Sequence, residues 1–343
     1  MDIKSIYIIS NEKVSENSEK YSCDNLDLKS IPEGLSKSFK VNLIVRKSKI
    51  QRNHTITNVK ISLAKNIFSF TYNILKTIKE KKQSKYFIIS ISPYTFIACL
   101  LLFILNVRPI VYLRSDGYEE YKSIIGILGV FAYHIMFSIT SAISSLVSCR
   151  NHILRKKNGK IVSPSQLTET WFKNTTQSTL DKARLLYVGR IRIEKGIFSF
   201  LKLFKNLRQD IHLSIVTTKS DRSKINNLEN ISCIDSQSEE SLIKNYDKNN
   251  ILILPSFTEG HPQVLDEALA RLRPVIVFDE IKHVKRDREG VFICKRNTQE
   301  LNSMIDHILK NYSEIQAKIK TNNLPKKEIF IGELKSIINE KKN

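Results

Sequence analysis

Short apolar runs alternate with helical patterns along nearly the whole of this chain, and few folds accept that alternation. In the first half, strands are expected at Ile3–Ile9, Val41–Val45, Tyr86–Ser92, Ile110–Leu113 and Ala142–Ser148. In the second, RLLYVGR, IHLSIVTT, ISCID, ILILPS and PVIVFDE repeat the logic, each separated by a helical segment. Between the second and third strands, Leu63, Ile67, Phe70, Ile74, Leu75 and Ile78 recur at helical spacing and predict one helix ending in lysines. Strand–helix alternation in both halves of a 343-residue chain predicts two doubly wound α/β domains. Facing each other, they would form a cleft at the carboxyl ends of their strands, where open α/β sheets bind ligands. The polar stretch KKNGKIVSPSQLTETWFKNTTQST, punctuated by Gly159 and Pro164, divides the halves. The expected organisation is a first domain over 1–165, a linker over 166–180, a second domain over 181–320 and a helical tail over 321–343.

Two segments carry no charge for long enough to cross a bilayer: 22 residues from Tyr86 to Val107 and 27 from Ser123 to Cys149. Both break up on inspection. The first reads as a strand, a turn at Pro93 and a buried helix; the second is interrupted by Gly126, Gly129 and His134 and ends in the strand-like AISSLVS. Buried strands and helices of a parallel sheet read in this way. The apolar run after Met1 is too short for a signal-peptide core and is expected to be the first strand. Five cysteines, an odd number without a C-x-x-C pair, argue against a disulfide framework or structural zinc and for a reducing cytosol.

Two loops that follow strands carry the chemistry. In YVGRIRIEKG, Gly189 and Arg190 end a strand, and Glu194-Lys195-Gly196 open a helix. Arg190 and Lys195 beside the positive end of a helix dipole suit a diphosphate. In ILILPSFTEGHPQVLDEALARLRPVIVF, a short loop carries Glu259-Gly260-His261, and a helix is expected to begin with Pro262 at its first position. Glu259 is placed to reach ligand hydroxyls, and Glu267 lies deeper in the helix. At ~1.5 Å rise per residue, the eight positions between them span no more than about 12 Å. The Gly260 and His261 amides at the helix start would meet phosphates.

In this order and spacing the two segments resemble the C-terminal half of retaining glycosyltransferases with the two-Rossmann GT-B fold, most closely the family 4 group that builds bacterial cell-surface polysaccharides. The likeness is strong over 184–278, where G-R-x-x-x-x-K-G, P-S-x-x-E-G-x-P and E-x(7)-E all occur. It implies an α/β chain of two Rossmann-like doubly wound domains facing across a cleft. It also implies a nucleotide-sugar donor, UDP- or GDP-linked, with no cofactor and no metal. By the same resemblance Arg190 and Lys195 neutralise the leaving diphosphate, Glu259 contacts the donor sugar, and Glu267 holds the ribose. Gly189, Gly260 and His261 then border the sugar and phosphates. Three positions depart from the pattern. SNEKVSENSEK stands where a glycine-rich loop usually follows the first strand, KSDRSK where a G-x-G turn is common, and Leu272 where A-x-G-x-P has glycine. Arg114, Asp116 and Glu119 are candidates to face the acceptor.

The formal charge of +21 divides as +13 over residues 1–170 and +8 over 171–343. A basic acceptor domain fits a glycan or lipid-linked acceptor and peripheral contact with an anionic membrane from the cytoplasmic side. A lysine-rich composition with solvated side chains is the equal alternative. Rival functions are a nucleotide-sugar epimerase, a sugar phosphorylase and a basic nucleic-acid-binding protein. The last has no helix-turn-helix, zinc-finger or RNP motif behind it, so no specific nucleic-acid partner is expected.

Overall fold

A computed structural model describes residues 5–18, 20–79, 84–176, 178–225, 230–235 and 238–340. The chain forms two compact units, Met1–Gln166 with Lys327–Asn343, and Leu167–Lys326. The expected start of the first strand, Ile3 and Lys4, lies outside the described residues.

The first unit runs β1 (Ser5–Asn17), β2 (Lys20–Cys23), α1 (Leu26–Ser36), β3 (Lys40–Lys47), β4 (His54–Ile56), β5 (Lys60–Ala64) and α2 (Ile67–Thr77). It continues with β6 (Ser84–Ile89), α3 (Pro93–Ile104), β7 (Ile110–Leu113), α4 (Gly117–Ile125), α5 (Ile127–Ile143), β8 (Ser145–Ser148) and β9 (Gly159–Ile161). A parallel ladder β5-β3-β1-β6-β7-β8-β9 crosses it. Strand alternation assigns each side chain to one face. Ile6, Ile8, Leu43, Phe87 and Tyr112 join one core, whereas Tyr7, Ile9, Ile44, Tyr86 and Val111 join the other, beneath α2, α3 and α5.

Several expectations need correction here. Most of SNEKVSENSEK is strand rather than loop: β1 continues through Asn17 past a register shift between Ile9 and Lys13, then pairs antiparallel with β2. Without glycine, and with Val14 and Ser15 buried, extended pairing wins over a turn. The helix expected from Leu63 begins only at Ile67, because KISLA pairs with β3 as a strand and Asn66 closes a capping box with Ser69. Strand β6 stops at Ile89, and Ser92 caps α3 with Thr95 in the same way. Ala142 and Ile143 are helical, so β8 is shorter than AISSLVS. Nor are the two uncharged runs buried all round. Helix α5 turns Tyr133, Met136, Phe137 and Thr140 inward and leaves Leu128, Phe131 and Ile135 exposed.

The second unit runs β10 (Arg184–Val188), α6 (Ile197–Phe204), β11 (His212–Val216), α7 (Lys219–Arg222), β12 (Ile231–Ile234), α8 (Glu239–Lys248) and β13 (Ile251–Leu254). There follow α9 (Gln263–Ala270), β14 (Val275–Phe278), β15 (Val291–Cys294), α10 (Thr298–Lys310) and α11 (Tyr312–Ile319). Its six parallel strands take the order β12-β11-β10-β13-β14-β15. This is the doubly wound order 3-2-1-4-5-6, which reverses direction between β10 and β13. All five expected strands are present, and VFIC adds a sixth as β15. Residues 167–176 bring Leu167 and Trp171 into this unit's core. The last helix, α12 (Lys327–Asn339), instead buries Phe330, Leu334 and Ile338 in the core of the first unit. Each unit is thus a Rossmann-like doubly wound α/β fold.

Candidate functional site

The strand order puts two loops side by side. Loops following β10 and β13 emerge at the point where chain connectivity diverges to either side of the sheet, and that divergence opens a crevice. Both motifs singled out in the sequence sit on these loops.

The loops are joined through backbone. Gly196, at φ +64° before α6, lies so close to β13 that an added Cβ would overlap the Pro255 carbonyl oxygen. A glycine is required there on both counts, conformation and approach. The Phe257 amide donates to the Glu194 carbonyl at 3.0 Å. Across this junction Lys195 Nζ donates to Glu259 Oε1 at 2.6 Å, and Ser256 Oγ donates to the same oxygen at 2.6 Å. The Glu259 side chain is 9% exposed and that of Lys195 27%. Two motifs 64 residues apart therefore present one ion pair, with the lysine open to solvent and the carboxylate held. Arg190 stands exposed on the same loop, its carbonyl accepting from Tyr187 Oη at 2.8 Å.

The loop after β13 is braced from several sides. Arg296 Nη2 donates to the Pro255 carbonyl at 2.9 Å, and its guanidinium lies over the Phe257 and Phe278 rings. His283 Nε2 meets the Glu259 carbonyl at 2.8 Å. His261 turns inward: its side chain is 4% exposed, with Nε2 3.0 Å from Asp266 Oδ2, while Arg288 holds Asp266 Oδ1 at 2.7 Å. Helix α9 begins one residue later than expected. Pro262 has ψ 109°, an extended conformation, so it is the cap and Gln263 the first helical residue.

Glu267 lies inside. Its Oε2 accepts from Tyr246 Oη at 2.8 Å. Burial pushes its carboxyl up to about 7 from the ordinary 4.5; the Tyr246 hydroxyl pulls the other way, and Asp266 and Glu239 add to the rise. The folded protein therefore binds more protons than the unfolded chain between pH 4.5 and 7, and stability from this group falls as pH rises through that window. Glu267→Gln should gain stability relative to wild type as pH rises from 5 to 8, by up to about 3 kcal/mol, read as a widening difference in melting temperature. A difference that stays flat across those pH values would refute the raised carboxyl.

Several of these groups were not legible in the motifs. Asp221, on the KSDRSK segment, accepts from the Ile191 amide at 3.0 Å and from Lys224, and so anchors the Arg190 loop from β11's side. Leu272 does adopt the conformation glycine prefers, φ +58°. Its cost of roughly 1–2 kcal/mol is offset by packing on the unit's core and by a hydrogen bond from Gln316 to its carbonyl. In the first unit Asp116 caps α4 through the Tyr118 amide and pairs with Arg155 at 2.9 Å, both structural duties. Arg114 lies 3.7 Å from Glu12 and 4.0 Å from Asp27, and Glu119 is exposed in the first turn of α4.

Residues 169–324, nearly all of the second unit, match the family described as glycosyl transferases group 1. A protein of Haemophilus influenzae described as an uncharacterized glycosyltransferase is 23% identical over 274 residues, covering 75% of this chain and 76% of the relative. Among solved structures, sucrose-phosphate synthase from Thermosynechococcus elongatus superposes with a TM-score of 0.70 at 14% identity, covering 97% of this chain and 98% of its own. HepE of Anabaena, solved with UDP and glucose, gives 0.68 at 9% identity, covering 99% and 100%. The second unit is thus similar to the glycosyl transferases group 1 family, and almost the entire chain shares the GT-B fold of its solved neighbours.

Proposed function

We propose that the protein transfers a hexose-type sugar, with retention, from a UDP- or GDP-linked donor to a hydroxyl of a glycan or lipid-linked acceptor. The role envisaged is cell-surface polysaccharide or lipopolysaccharide synthesis, as in family 4, at the cytoplasmic face of the membrane. The observation that carries this reading is the Lys195–Glu259 pair, held at the switch point of the second sheet by the Gly196–Pro255 contact. A diphosphate would compete with Glu259 for the Lys195 ammonium and draw in exposed Arg190. Glu259 would then be left to the sugar hydroxyls, with Ser256 fixing its other contact. Gly189, Gly260 and His261 would border the phosphates, and Glu267 would take the ribose.

In the step itself the acceptor oxygen bonds to the anomeric carbon as the bond to the β-phosphate oxygen breaks on the same face. The phosphate oxygen keeps the electron pair and takes the acceptor's proton. Negative charge grows on the β-phosphate, so fixed cations favour the transition state over the bound donor without a metal. The UDP bound to HepE favours uridine as the base.

A thermal-shift screen over UDP-, GDP-, ADP- and CMP-sugars tests the reading. The matching donor, at about 100 times its Kd, should stabilise by about 2.7 kcal/mol. No shift with any UDP- or GDP-sugar would sink the donor assignment.

A further inference from the structure

One face of the first unit is apolar where solvent-exposed helices are normally polar. Among the described residues, thirteen of twenty-one exposed large hydrophobic side chains lie on α2, α3, α4 and α5. These helices form one layer: α3 packs on both α2 and α5, and α4 packs on α5, all over the same side of the sheet. At the α4–α5 junction Ile124, Ile125, Ile127 and Leu128 are 69%, 58%, 77% and 72% exposed around Gly126. Phe131 follows one turn later, then Ile135 and Ile139, a stripe at helical spacing that points away from the core. Phe103 and Ile104 end α3, and Phe68, Tyr72 and Leu75 line the outside of α2, all exposed. An uninterrupted exposed run of this kind opposes solubility unless something covers it.

Lysines predominate among the charges around it. Lys65, Lys76 and Lys79 are exposed along α2 and its flanks, and the Lys76 ammonium lies 4.4 Å from the Tyr72 ring centre. Lys122 precedes Ile124 in the last turn of α4. No acidic residue occurs over 65–79, 85–108 or 121–149. The acids of this layer, Glu119 and Glu120, occupy the first turn of α4, about one turn before Ile124 and Ile125, and Glu120 accepts from Ser115 at 3.0 Å; Glu80, next to Lys79 in sequence, lies outside the described residues. Among the described residues no helix is long and apolar enough to cross a membrane, so an apolar face here would lie in an interface rather than span it. A two-fold contact with a second copy would set like lysines near one another across the axis, whereas anionic headgroups complement them.

We propose that the α2–α5 face docks the protein onto an anionic bilayer surface. The α4–α5 junction, Phe131 and Phe68 enter the boundary between headgroups and acyl chains, and Lys76, Lys79 and Lys122 pair with the headgroups. The proposal rests on this face alone and stands whatever the donor or the reaction.

The test is co-sedimentation of the full-length protein with vesicles of equal parts phosphatidylglycerol and phosphatidylcholine, against phosphatidylcholine alone. Wild type should partition onto the anionic vesicles and far less onto the neutral ones. Ile127→Asn with Leu128→Asn, both at exposed positions, should keep the melting temperature and cut partitioning on the order of tenfold. Lys76→Glu with Lys79→Glu and Lys122→Glu should weaken it by roughly fivefold or more per lysine at low salt. The proposal fails if wild type stays in the supernatant with both vesicles, or if the asparagine pair binds like wild type. It also fails if sedimentation velocity shows a concentration-dependent dimer that the asparagine pair dissolves, since the face would then belong to a second copy.

Discussion

Lys195→Ala should lower the turnover of sugar transfer by about 10²–10³-fold while leaving the second unit folded. The expectation follows from where charge develops. In the donor ground state the diphosphate charge is already spread over two phosphates; in the transition state further charge collects on the oxygen that leaves. A cation fixed beside that oxygen acts more strongly in the second state than in the first, which is the condition for raising rate rather than affinity alone. In the proposed reaction Lys195 would be that cation. Its loop is pinned by the Gly196–Pro255 approach and by the Phe257–Glu194 hydrogen bond, and its ammonium is open on one side. Losing one such preorganised contact costs about 3–4 kcal/mol in comparable oxyanion sites.

The same substitution strips Glu259 of its cationic partner, so rate and stability must be read together. Glu259 retains Ser256 as a donor at 2.6 Å. The site lies on loops rather than in the core, and the melting temperature should move by only a few degrees. Single-turnover kinetics with a matched donor separate the chemical step from binding. Near-wild-type turnover would remove Lys195 from the reaction, and a collapse in melting temperature would make its role that of a structural counterion.

What the sequence carried is local. The strands of the second unit, the glycine between Lys195 and α6, and the Glu259 loop are each written in a few adjacent residues whose periodicity or turn chemistry leaves little choice. The larger failures involve partners distant in the chain. KISLA and the helix after it form one apolar stretch, and only the pairing of β5 with β3 ends the strand before Asn66 caps the helix. SNEKVSENSEK is polar enough for a loop, and the register shift in β1 becomes visible only against β3. Asp221 carries no local mark that it holds the Ile191 amide 30 residues away. The uncharged runs misled for a related reason: hydropathy counts apolar residues without saying which face of α3 or α5 has a neighbour. Arg271 and Arg273 stand just past the end of α9, and they are among the largest wholly buried side chains of the described residues.

Arg271→Ala should destabilise the second unit by about 3–5 kcal/mol, far more than any surface arginine. Its side chain is 1% exposed. Nε and Nη2 form a fork on the two Asp247 oxygens at 2.9 and 2.8 Å. Nη1 donates to the carbonyls of Trp171 and Lys173 at 3.1 and 2.7 Å, and Nη2 to that of Asn174 at 2.9 Å. One guanidinium thus fastens residues 171–174 to the end of α9 and to α8. Alanine would leave three carbonyls short of a donor and Asp247, among the described residues, with the 3.8 Å approach of Arg273. At roughly 2–4 °C per kcal/mol for a unit of this size, the melting temperature should fall by roughly 6–20 °C. Arg271→Lys should recover little, because a single ammonium cannot serve a planar fork and three carbonyls at once. Arg208→Ala, which breaks an exposed pair with Asp306, is the comparison and should cost about 1 kcal/mol or less. If Arg271→Ala melts within a degree or two of Arg208→Ala, the buried fork is not what holds the 171–174 segment in place, and the packing of Trp171 against Tyr246 must carry it instead.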